Sequence, residues 1–280
     1  MMIRTRDVVM KLCLHLILAS ICLGAGSQEL NTVLMNSTFE ITGPSTSIGK
    51  TTFGTVFLMG KPQAENPKQG YNVLITAAHV LNEISGDDAV LALRRRNDKG
   101  MFDRFNFPVK IRSKGANLYV TNSEADVAAM YIPLPTEVDL RPLPIKFLAD
   151  DTMLERIEVH PGDELLCLGF PLAADFHGFP ILRTGTLASY PVTPYKIVQQ
   201  YLFTFHVFPG NSGGPVYFSF PNRVYGGGGT HIGVVQGVIG LVSQQESSGL
   251  PEYKNLPLDI AVIVPSSYIR DTIALLPEKP

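Results

Sequence analysis

The 280 residues carry 23 Lys and Arg against 25 Asp and Glu, a formal charge of −2, with 45% hydrophobic and 17% charged residues. That balance is enough for a substantial core and excludes a highly charged disordered chain. The 25 glycines and 21 prolines fit a turn-rich globular protein.

Arg4, Arg6 and Lys11 precede an apolar run over 12–23 and the small residues Gly24, Ala25 and Gly26. This is the pattern of an export signal, with cleavage expected after Gly26. The run falls short of the ~20 residues that span a bilayer, so stable membrane insertion after cleavage is not expected. Two alternatives stay open: a start at Met10, and a lipid anchor through Cys22, although Ile21 before it is larger than such signals favour. Removing 1–26 takes away three basic residues and one acidic one, leaving 20 Lys and Arg against 24 Asp and Glu, a net charge near −4. This sign argues against a nucleic-acid partner. Cys13 and Cys22 fall in the leader, so Cys167 remains alone, no intrachain disulfide can form, and the apolar context of Cys167 reads as a buried structural thiol.

After an N-terminal extension (27–39), short β-branched and aromatic segments recur at 51–59, 71–75, 89–93, 107–111, 127–132, 164–168, 185–189, 201–207, 215–218, 232–239 and 258–264. Gly, Pro or charged turns separate them, which is an all-β pattern. The proline-spaced stretch 133–144 suits an extended crossover and divides the chain into units at 40–150 and 151–280. Ser266 and Ser267, followed by Tyr268, Ile269, Ile273, Leu275 and Leu276, predict an N-capped terminal helix packed on a barrel.

Three motifs carry chemistry. In Gly210-Asn211-Ser212-Gly213-Gly214-Pro215-Val216 the glycines allow a strained turn that presents Ser212 as a nucleophile, with the amides of Gly210 and Ser212 turned toward one point as an oxyanion hole. A serine hydroxyl needs a base and a carboxylate to orient that base. His79 follows an apolar strand and Ala77-Ala78, a strand end facing a cleft. Asp126 opens the apolar run Val127-Ala128-Ala129-Met130, with Glu124 as its local rival. No metal-ligand spacing is present among the remaining histidines, and neither metal nor cofactor is expected.

With these residues in the order His79, Asp126, Ser212, the chain resembles the trypsin-like serine proteases of the chymotrypsin fold, and most closely their bacterial HtrA-like branch. Pro161-Gly162-Asp163 through Gly169-Phe170-Pro171, Arg183-Thr184-Gly185-Thr186 through Ser189, and the segment 260–266 are similar to further motifs of that branch, so the resemblance covers roughly 40–276. It implies two packed six-stranded antiparallel β-barrels with a short C-terminal helix and the site between them. The implied function is an exported, periplasmic or secreted endopeptidase acting on protein or peptide substrates. By the same resemblance His206, Val235, Gln236 and Gly237 border the primary specificity pocket, which has no acid and would favour apolar or small side chains. The PDZ module common in that branch is not expected after the terminal helix, and an oligomer is possible though no residue demonstrates one. Asn211 stands where animal trypsins carry an aspartate that pairs with a new N-terminus, so activation without a liberated ammonium is expected. The alternative is an inactive trypsin-like fold serving as a binding or scaffold protein. An α/β-hydrolase esterase is disfavoured, because its triad follows the order Ser, Asp, His.

Overall fold

A computed structural model describes residues 29–280, except 64, 67–68, 136–137, 139, 141, 227–228 and 248–256. The expected leader, with Cys13 and Cys22, lies outside the described residues.

The chain opens with helix α1 (Leu30–Ser37), where Leu30, Leu34 and Ser37 share one buried face at helical spacing. Burying the two leucines stabilises the docked helix by roughly 1.5–3 kcal/mol each. The first half then holds β1 (Thr38–Pro44), β2 (Thr51–Pro62), β3 (Gly70–Thr76), α2 (Ala78–Glu83), β4 (Asp88–Arg96) and β5 (Phe102–Lys110). Short strands follow at β6 (Arg112–Ser113), β7 (Ala116–Asn117) and β8 (Val120–Thr121), then β9 (Ala128–Tyr131) and β10 (Leu143–Pro144). Their main sheet runs β5-β4-β1-β2-β3-β9-β8, with β10 parallel to β2. Six strands of four or more residues form its body, and the two-residue β8 and β10 bring the count to eight. The Leu118 N–H donates to the Ile111 carbonyl at 2.9 Å, linking the chain past β5 to the chain before β8. Pro108 is tolerated in β5 because that strand ends the sheet.

The second half contains α3 (Asp151–Arg156), β11 (Glu164–Gly169), β12 (Ile181–Thr186), α4 (Tyr195–Val198), β13 (Tyr201–Thr204), β14 (Pro215–Tyr225), β15 (Gly229–Ser247), β16 (Pro257–Pro265) and α5 (Ser266–Ala274). Its six strands run β12-β11-β14-β15-β16-β13. A bridge between Leu187 and Phe203 joins the two ends into a closed antiparallel barrel, which removes the exposed edges. The fold is therefore all-β with two barrels and a short C-terminal helix. Each has its own core, one around Phe39, Phe57, Leu58 and Leu91, the other around Cys167, Tyr201, Phe203 and Phe218. Cys167 is free and buried, and burial pushes its thiol up to about 12.

Five local expectations are corrected. No strand was expected before Thr51, yet β1 pairs with both β2 and β4; Phe39 and Ile41 alternate there with Thr38, Glu40 and Thr42, and the Glu40 charge is neutralised by Arg104 from β5. Helix α5 forms, but its cap residue is Pro265 without a side-chain cap, and the Ser266 hydroxyl donates instead to the Ala149 carbonyl. Leu275 points outward, whereas Tyr268, Ile269 and Ile273 join the first barrel's core. The 133–144 crossover contains the small parallel strand β10, and the strand expected at 185–189 lies earlier, as β12.

Candidate active site

His79 sits in the first turn of α2, just beyond β3, rather than at the strand end itself. The buried Ala77 and Ala78 let that turn lie close to the sheet. Asp126 lies two residues ahead of β9, which pairs with β3, so the sheet register brings acid and imidazole together. His79 Nδ1 is 2.6 Å from Asp126 Oδ2, and the His79 backbone N–H donates to Asp126 Oδ1 at 2.9 Å. With Asp126 ionised, Nδ1 carries the proton and Nε2 is left as the base. Glu124, the local rival, pairs with Lys196 at 2.8 Å.

Ser243, which sequence reasoning passed over, donates its hydroxyl to Asp126 Oδ2 at 2.6 Å. It lies on β15 where the register against β16 shifts between Val242 and Gln244, a bulge that aims one side chain out of the regular alternation. A serine between Val242 and Gln244, past the strand expected at 232–239, gives no sign of that. Burial pushes the Asp126 carboxyl upward, but the hydrogen bonds and charge of His79 and the Ser243 hydroxyl outweigh it and hold the pKa below its ordinary value. Burial likewise disfavours the His79 imidazolium, while the bond and charge of Asp126 and the charge of Glu83 prevail and raise its pKa above 6.5.

The turn that carries Ser212 is held from both barrels. Gly210 has φ +96°, and a Cβ there would stand 2.1 Å from the Phe170 carbonyl; Gly213, at φ +84°, would meet the Thr55 carbonyl at 2.2 Å. From β2, the Thr55 N–H donates to the Ser212 carbonyl at 2.8 Å and its hydroxyl to the Gly210 carbonyl at 2.6 Å. The Asn211, Gly213 and Gly214 amides are spent on the carbonyls of Phe208, Val242 and Asn211. Among the described residues the amides of Gly210 and Ser212 have no protein acceptor, as an oxyanion hole requires. Asn211 is buried, and its Oδ1 accepts the Phe208 amide at 2.9 Å, so the turn is braced by its own side chain. The Ser212 hydroxyl donates to the Ser243 carbonyl at 3.1 Å rather than to His79.

His79, Asp126, Ser212 and Ser243 line one cleft of about 810 Å3, together with Val207, Phe208, Pro209, Gln244, Gln245, Val262 and Val264. The expected pocket residues fall elsewhere. Val235 pairs with Phe220, Gln236 Oε1 accepts the Leu30 amide at 3.0 Å, and Gly237 packs beside Phe218 and Met153. His206 is absent from the lining; its Nδ1 binds Asp259, and its ring packs against Phe208, which does line the cleft. The reason is the length of β15, 19 residues, of which the later stretch from Ser243 to Gln245 reaches the cleft.

No protein-family model matches the chain, and no curated protein matches it. Three solved structures similar to it are all proteases. The serine endoprotease from Yersinia pestis is 15% identical over 87% of this chain, at a TM-score of 0.49; the chain spans 63% of that protein's length. A protease from M. tuberculosis in its active form is 16% identical over 88% of this chain and 82% of its own, at 0.48. The thermostable serine protease AL20 from an extremophilic microorganism is 14% identical over 85% and 95%, at 0.47.

Proposed function

We propose that this chain is an exported, trypsin-like serine endopeptidase that hydrolyses peptide bonds of proteins through an acyl-enzyme. The observation that carries the reading is the convergence in one cleft of the His79–Asp126 pair, Ser212, and the two unspent amides of Gly210 and Ser212. Ser212 Oγ attacks the carbonyl carbon as His79 Nε2 takes its proton; His79 then returns a proton to the leaving amine, and water repeats the sequence to release the acid. Asp126 keeps the imidazole in the productive tautomer and stabilises the imidazolium. The amides of Gly210 and Ser212 stabilise the tetrahedral oxyanion, each worth about 3 kcal/mol when lost. Neither metal nor cofactor takes part in this scheme. Val207, Val262 and Val264 in the cleft favour an apolar or small primary side chain. Asn211 bracing its own turn supports activation without a new N-terminal ammonium. Export to the periplasm or medium is read from the basic and apolar leader.

The alternative, an inactive fold acting as a scaffold, draws on one observation, the Ser212 hydroxyl resting on the Ser243 carbonyl. Catalytic hydrogen bonds are often made only in the complex with substrate, so rotation about the Ser212 Cα–Cβ bond is the step the proposal requires. Incubation with a fluorophosphonate and with casein, beside Ser212→Ala, decides between them. The endopeptidase labels and cleaves while the variant does neither; a parent chain inert to both is a scaffold.

A further inference from the structure

The connection from β11 to β12 touches the nucleophile turn at one end and the first barrel at the other. At the near end, the Leu172 N–H donates to the Pro209 carbonyl at 2.7 Å. In a trans peptide C=O and N–H point in opposite directions, so this bond sets the direction in which Gly210 presents its amide. Leu172 and Ala173 do this at φ +53° and +60°, a left-handed conformation that residues with a Cβ hold only when their surroundings impose it. The Leu172 side chain is 62% exposed, so its own packing does not impose it.

The restraint comes from further along. Asp175 Oδ2 accepts from Arg104 at 2.6 Å, and Asp175 Oδ1 accepts the Gly178 amide at 2.7 Å. The Gly178 carbonyl accepts from Arg94, whose guanidinium lies between the rings of Phe179 and Phe39, 4.3 Å from each. Both arginines belong to the first barrel and are fixed there independently. Arg104 also donates to the buried Glu40, and Arg94 to the carbonyls of Thr38, Met35 and Asn36. Arg94 also holds the end of helix α1, so its loss has effects beyond the connection. Asp175 is the point at which the link can be cut without stranding a buried charge.

We propose that Arg104 and Asp175 are positioning residues for the oxyanion site. They clamp the 171–180 connection to the first barrel, so that the Leu172 amide holds the Pro209–Gly210 peptide with its N–H toward the cleft. The proposal rests on the reading of Ser212 as an acyl-transfer nucleophile. The two barrels are then coupled through the oxyanion donor as well as through the triad.

The test is Asp175→Ala, with Asp175→Glu as the conservative variant and Arg104→Lys as a second cut. Turnover of a peptide amide is divided by the number of sites that a fluorophosphonate labels on prolonged exposure. Asp175→Ala is expected to lower kcat per labelled site about tenfold, with KM within about twofold, because the donor is misaimed rather than removed. The acid limb of the pH profile stays at the parental midpoint, since His79 and Asp126 are untouched, and Asp175→Glu recovers most of the loss. Parental kcat per labelled site in both Asp175→Ala and Arg104→Lys overturns the clamp, as does a loss that follows only the folded fraction. Amide exchange at Leu172 is read in parallel. It accelerates in Asp175→Ala if the clamp exists and is unchanged if it does not, even if the parent chain proves inert and the protease reading is the one that fails.

Discussion

Two histidine–aspartate pairs in this chain share their residue types and differ in what surrounds them. In the cleft, Asp126 gives both oxygens to His79, through Nδ1 and the backbone amide, and takes the Ser243 hydroxyl as well. At the second pair, His160 Nδ1 stands 3.7 Å from Asp163 Oδ1 and 3.0 Å from the Pro161 carbonyl. Arg223 instead claims both oxygens of Asp163, at 2.5 and 2.8 Å, while its Nε donates to the Ile157 carbonyl. One carboxylate orients an imidazole; the other is the counter-ion of a buried guanidinium. A pair three residues apart arises from a local turn, whereas the pair 47 residues apart exists only because β3 and β9 are neighbours and one face opens to the cleft.

The largest expected effect breaks the cleft pair. In Asp126→Asn the amide NH2 donates to Nδ1, which drives the imidazole proton onto Nε2 and removes the base, so kcat should fall about 10⁴-fold with little change in the fold. Steady-state kinetics on a peptide amide reads this directly; a loss below about tenfold would remove Asp126 from the orienting role. The pH dependence carries a second sign. The raised pKa of His79 contributes stability that is fully present below 6.5 and is lost as pH rises through the folded value. The lowered pKa of Asp126 contributes stability that is fully present above 3.8 and is lost as pH falls through the folded value. The charged pair therefore stabilises most between 3.8 and 6.5, while activity needs neutral His79 and rises only above 6.5. A thermal melt series and a kcat/KM profile should move in opposite directions across that boundary.

The second effect belongs to the buried pair. Asp163→Ala leaves Arg223, only 9% exposed, without its counter-charge, at a cost of about 3–5 kcal/mol in denaturant unfolding. Activity per folded molecule should stay parental, because neither residue lines the cleft. Loss of kcat beyond the loss of folded protein would mean that the contrast between orienter and counter-ion is drawn in the wrong place.

That His79, Asp126 and Ser212 belong together was legible in the sequence because each sits in a local pattern whose chemistry is short-range: glycines around Ser212, small residues before His79, an apolar run after Asp126. The barrels were legible as strands and turns, since alternation and turn residues are local too. What escaped depends on distant partners. The burial of Glu40 within β1 depends on Arg104, 64 residues on. Ser243 lies beyond the strand expected at 232–239, before the polar residues Gln244, Gln245 and Glu246, and a bulge aims it at Asp126, 117 residues away in sequence. Val235, Gln236 and Gly237 were placed at the pocket by resemblance, and nothing local says which part of the long β15 reaches the cleft.

A third pair, His206 and Asp259, is neither orienter nor buried counter-ion, and it should give the smallest effect. Its side chains are 34% and 70% exposed, so the ion pair itself contributes at most about 1 kcal/mol. The ring still packs 4.5 Å from that of Phe208, which lines the cleft, and the Arg183 guanidinium covers the same Phe208 ring at 5.2 Å. His206→Ala should therefore loosen the wall of the cleft without reaching the reacting atoms, raising KM for an apolar primary side chain about two- to threefold at constant kcat, since only uniform binding is lost. Peptides differing at that one side chain make the measurement. A loss confined to an acidic side chain would instead put the imidazole inside the pocket and make the third pair a recognition element.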